Sequence, residues 1–180
     1  LPQRTPPRGV EPGHGVPQSS VVADVLRGQK GYAIADDRYF PVVLSKFSGT
    51  ADVDMMARYF AWMEDRLERA RREGKQVVQI TCALDVNRPP APVRDYIAEA
   101  SDSQKASFGE VSLGAFVVLD NVLVRRTITA INWVSRRGLG LTSCSTIPEA
   151  IRAAIEAMRD AGFKAPNGLS PEAYRFAEVR

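Results

Sequence analysis

Histidine is almost missing from this chain of 180 residues: the one copy, His14, stands between Gly13 and Gly15 in a proline- and glycine-rich opening stretch. The remainder has no imidazole for general-base work, which excludes Ser-His-Asp and Cys-His mechanisms there. Cysteine is nearly as scarce. Cys82 and Cys144 each lie in an apolar, strand-like run and read as small buried core residues of a cytoplasmic protein. Two isolated thiols and one distant imidazole do not complete a tetrahedral zinc shell, so no metal and no cofactor is expected. No apolar run approaches the roughly 20 residues that cross a bilayer, and no apolar core precedes a cleavage site at the start. Neither a transmembrane segment nor a secretory signal is expected.

Charge of one sign is also lacking. The net charge is +3, and the first thirty residues hold Arg4, Arg8, Arg27 and Lys30 against Glu11 and Asp24, leaving the rest close to neutral. A nucleic-acid surface would need a clustered basic face, so no nucleic acid is expected as a partner. Glycines 138 and 140 in "RRGLGLTSCS" lack the Lys-Ser/Thr pair of a phosphate loop and precede a strand instead of a helix.

What the chain does contain is an alternation of short apolar runs and helical patterns. Residues 1–30 carry five of the twelve prolines and read as a flexible lead, with a short turn of helix in "SSVVADVLRG". Two strands follow, at about 31–35 and 39–48, joined at Asp36–Asp37. The clearest helix runs from Thr50 or Asp52 to Gly74, with Val53, Met56, Phe60, Met63, Leu67 and Ala70 as its apolar face. Then come a strand at 76–84, a helix at 92–107, a strand at 112–120 and a helix at 121–137. A strand at 139–145 precedes a last helix at 146–162, whose start carries the Thr146/Glu149 capping-box spacing. The fold class is therefore α/β: a single, mostly parallel, five-stranded sheet in the order ββαβαβαβα. The domain spans 31–162, and residues 163–180 form a C-terminal tail.

That order, with "FPVVLSKFSG" running into the first helix and "GAFVVLDNVLVRR" preceding a capped "STIPEAI" helix start, resembles the STAS domain of sulphate transporters and anti-sigma-factor antagonists. The resemblance covers residues 31–162. It implies a non-enzymatic bacterial regulatory module that works through protein contacts or self-association. Members with a phospho-switch place Asp-Ser or Asp-Thr where the third strand meets the second helix. Here the turn reads Arg88-Pro89-Pro90, with neither serine nor threonine between Thr81 and Ser101. Prolines 89, 90 and 92 remove three N–H donors, so this helix start is a poor anion cradle. The serine switch cannot operate there.

The polar residues left in and beside that turn, Asp85, Asn87, Arg88 and Arg94, form a candidate partner or ligand surface. The helix at 121–137 is apolar on more than one side, and its Arg125, Arg126 and Trp133 have the character of interface anchors. An alternative is a small-molecule or lipid-binding domain, with an apolar cavity lined by Phe47, Phe60, Phe116 and Trp133. A further alternative is an enzyme pairing Asp85 with a nearby arginine. No catalytic residue is assigned.

Overall fold

The computed structural model describes residues 23–120 and 141–179. One mixed sheet of six strands runs in chain order: β1 (Asp24–Arg27), β2 (Lys30–Asp36), β3 (Val42–Thr50), β4 (Val77–Val86), β5 (Ser112–Val118) and β6 (Leu141–Cys144). Three described helices accompany it: α1 (Val53–Glu73), α2 (Ala91–Val111) and α3 (Ile147–Asp160). The pairs β1–β2 and β2–β3 are antiparallel, whereas β3–β4, β4–β5 and β5–β6 are parallel. Helices α1 and α2 make the crossovers that parallel neighbours require.

The α/β class and the single sheet agree with the sequence, but the sheet has six strands instead of five. The extra strand is β1, where a turn of helix was expected. Val25 and Leu26 alternate between the sheet faces, and the two-residue link Gly28–Gln29 folds the segment back so that Asp24 pairs with Ala35 and Arg27 with Tyr32. Two antiparallel pairings out of five make the sheet mixed. The helix expected at 121–137 lies outside the described residues.

Side-chain alternation sends Ala33, Ala35, Val43, Phe47 and Val77 to one face, under α1 and α2. Val42, Leu44, Val78, Ile80, Cys82, Phe116 and Val118 face the other way, under α3. On α1 the buried stripe is Met55, Met56, Tyr59, Trp62, Met63, Leu67 and Ala70. It is rotated towards Tyr59 and Trp62 relative to the expected stripe, so Val53 is exposed and Phe60 half-buried. The added strand explains the rotation: Trp62 turns to β1 and donates its Nε1–H to Asp24 Oδ2 at 3.1 Å. Gly74 closes α1 in the left-handed region, φ 60°, with its N–H bonded to the carbonyls of Ala70 and Arg71.

The residues after α3 do not run free. Leu169 and Tyr174 are buried in the apolar core on the α3 side of the sheet, and Phe176 packs against it. Residues 171–173 make a turn.

Candidate functional site

Parallel strands β3 to β6 end at one edge of the sheet, where α1, α2 and α3 begin and where ligands settle in α/β folds. Two of those helix starts are occupied by the chain's own polar groups. Asp52 accepts from Met55 N–H at 2.8 Å and from Gln29 N–H at 2.6 Å. These two amide donors, chiefly Gln29, hold its carboxyl below the ordinary range. Its carboxylate thus caps α1 and pins the β1–β2 turn together. At α3, Thr146 Oγ1 accepts from Glu149 N–H at 3.2 Å, and Glu149 Oε2 accepts from Ser145 N–H at 2.7 Å. The α2 start is capped by Pro90 with no side-chain hydrogen bond, and Pro92 follows.

The β4–α2 turn is tied to β3 in the same way. Asn87 N–H donates to the Gly49 carbonyl at 2.8 Å, and Asn87 Nδ2 donates to Thr50 Oγ1 at 3.1 Å. Arg94 Nη1 closes the turn on the Pro89 carbonyl at 3.0 Å. Asp85 sits one strand over from Lys46, with Nζ 2.8 Å from Oδ2, and is half-exposed. That hydrogen bond raises the Lys46 ammonium above its ordinary value. A bulge in β4 opposite Lys46–Ser48 brings the pair together: Lys46 is in register with Cys82, and Ser48 with Asp85. Asp85 therefore pairs with a lysine and not with Arg88 or Arg94. Arg88 is exposed on the turn, with no hydrogen bond or ion pair to a described residue. Arg125, Arg126 and Trp133 lie outside the described residues.

Phe47 and Phe60 belong to the α1 side of the sheet, whereas Phe116 belongs to the α3 side. These phenylalanines do not line one cavity.

Two polar clusters were not read from the sequence. In the first, Asp36 is wholly buried at the end of β2. Arg38 grips it with Nε on Oδ1 at 2.9 Å and Nη2 on Oδ2 at 2.6 Å, and the Arg38 N–H adds a third bond at 3.0 Å. Tyr174 Oη donates to Oδ2 at 2.9 Å. Burial, then the neighbouring carboxylate, pushes the Tyr174 phenol far up, and the Asp36 hydrogen bond does the same for Arg38. The spacing Tyr174–Phe176 in "PEAYRF" was the available signal, because paired aromatics two apart suit an extended segment lying on a core.

In the second cluster, Ser45 Oγ lies 3.2 Å from both Tyr59 Oη and Thr81 Oγ1. Gln79 Nε2 donates to Tyr59 Oη at 2.8 Å. Ser45, Gln79 and Thr81 alternate with apolar residues on β3 and β4, so they share the α1 face. Burial raises the Tyr59 phenol, and the network keeps its oxygen partnered.

Among the described residues no group of three or more His, Cys, Asp or Glu side chains could hold a metal ion, and no helix is long and apolar enough to cross a membrane. No family model matches the chain, and no curated protein matches it.

Proposed function

We propose that the chain is a non-enzymatic, STAS-like module of bacterial regulation that acts through protein contacts, without the family's serine phospho-switch. The observation that carries this reading is the β4–α2 turn. Its backbone and side chains are fastened to Gly49, Thr50 and Pro89, and prolines 89, 90 and 92 stiffen it further. Such a turn loses little conformational entropy when a partner closes on it. Arg88 stands on it as an exposed cation, and arginine is among the residues enriched at binding hot spots.

The pairing of Asp85 with Lys46 weakens the enzyme alternative, because the half-exposed carboxylate is engaged with a cation at 2.8 Å. The division of Phe47 and Phe116 between the two sheet faces weakens the apolar-cavity alternative.

Native mass spectrometry of protein purified gently from its own host tests the reading. A partner or second copy at fixed stoichiometry is expected. Arg88→Glu should weaken that complex by about tenfold or more, a typical hot-spot loss, with an unchanged melting temperature. Recovery of a bare monomer, or a complex indifferent to Arg88→Glu, would overturn it.

A further inference from the structure

Helices α1 and α2 lie side by side and leave an open groove of about 380 Å³ between them. Small residues, Ala61 and Ala100, keep it open, and the half-buried rings of Phe60 and Tyr96 meet edge-on inside it with centroids 6.2 Å apart. Gln104 braces it by donating Nε2–H to the Phe60 carbonyl at 2.8 Å. Glu64 and Glu99 line it as well.

These two carboxylates differ from the charges on the opposite flank of α1. There Arg66 contacts Asp37 at 3.2 Å, and Arg69 contacts both Asp37 and Glu73. Neither Glu64 nor Glu99 has a cation within ion-pair distance among the described residues. The groove thus combines two aromatic rings, a floor of small residues and two carboxylates with no cation beside them. This is the surface chemistry that receives a proline-rich segment bearing arginine: flat pyrrolidine rings lie on aromatic faces, and guanidiniums reach the acids.

The chain carries such a segment. Residues 1–22 precede the described part, and they begin "LPQRTPPRGVEP", with Arg4 and Arg8 bracketing Pro6 and Pro7. The point of departure is near at hand. Asp24 is held against α1 by Trp62, and the stretch 9–22 can span about 45 Å when extended, several times the width of one helix. Tethering raises the local concentration of the segment to the millimolar range, so a weak contact is enough for occupancy.

We propose that residues 4–8 of the same chain dock in the α1–α2 groove. Pro6 and Pro7 lie against Phe60 and Tyr96, and Arg4 and Arg8 pair with Glu64 and Glu99. The groove is self-occupied in the free protein. This inference is independent of the role proposed for the Arg88 turn.

The test uses the full chain with p-benzoylphenylalanine introduced at Ser103, an exposed residue of the groove wall. Irradiation followed by peptide mapping should place the cross-link within residues 1–12 of the same molecule, shown by mixing isotopically light and heavy chains. Arg4→Glu with Arg8→Glu should cut the yield by about three- to tenfold, the worth of two exposed ion pairs, and high salt should do likewise. In a second measurement, tryptic cleavage after Arg8 should speed up by a similar factor in Glu64→Arg/Glu99→Arg, two surface changes that leave the core alone. A cross-link only to residues 121–140, to another copy, or to nothing would overturn the proposal. So would a cleavage rate indifferent to the charge reversal.

Discussion

The hydroxyl of Tyr174 donates to the carboxylate of Asp36 across 138 positions of sequence, 2.9 Å from Oδ2, and both groups are buried. This bond and the Arg38 fork give Asp36 a full set of partners, which a fully buried carboxylate requires. Tyr174→Phe keeps the ring and removes one donor, and should cost about 1–3 kcal/mol in urea denaturation. Arg38→Ala leaves the carboxylate buried without a counter-charge. It should cost more, about 3 kcal/mol, discounted from the fully buried case because Arg38 itself is partly exposed. Equal, small losses in both variants would show that Asp36 is solvated in solution.

Alkaline pH should loosen the fold in a defined window. Burial pushes the Cys144 thiol from 9.0 up to about 11, with Glu149 adding to the effect. Unfolded chains release that proton near pH 9, whereas folded chains keep it to about pH 11. The stabilisation is therefore complete below pH 9 and declines as pH rises towards 11. Chemical denaturation across this range, alongside ultraviolet thiolate absorbance, checks the linkage. Cys144→Ala should flatten the decline, and an unaltered slope in that variant would assign it elsewhere.

Two glycines in the left-handed region separate conformational cost from crowding. At Gly74, φ 60°, an added Cβ meets nothing within 4 Å. Gly74→Ala should lose about 1 kcal/mol, the backbone cost alone. At Gly49, φ 74°, a Cβ would sit 2.5 Å from the Lys30 carbonyl oxygen. Gly49→Ala should lose clearly more, about 2–3 kcal/mol, because β2 and β3 must separate there as well. Thermal unfolding of the two variants makes the comparison, and equal losses would mean that the strand edge yields freely.

Local chemistry accounts for the parts of the fold that could be read in advance. Thr146 and Glu149 announce a helix start because the bonds they make are three residues apart, and Gly74 announces a helix end for the same reason. The strands β2 to β6 are visible as apolar runs bounded by turn residues. The strand β1 was not visible, because four residues carry too little periodicity. At the candidate site, Asp85, Asn87, Arg88 and Arg94 were chosen for their position at a strand-to-helix turn, and they do lie in or beside it. Their partners, Lys46, Gly49, Thr50 and Pro89, could be found only once register was known, since the bulge in β4 shifts the pairing by one residue. Asp36 and Tyr174 are 138 residues apart, and no spacing rule connects them.

Sequential strand order has a consequence for how the molecule is made. Each strand docks on the one that precedes it, so a chain leaving the ribosome can extend its sheet one strand at a time in a single direction. Asp36 lies in β2, yet one of its hydrogen-bond donors, Tyr174, is translated 138 residues later. Until then the carboxylate has Arg38 alone, and the apolar surface that Leu169 and Tyr174 will cover stays open to water. Completion of the β2–β3 hairpin's buried end thus waits until Tyr174 is made, and a chain halted before it carries both an under-partnered carboxylate and an uncovered patch that quality-control factors can recognise.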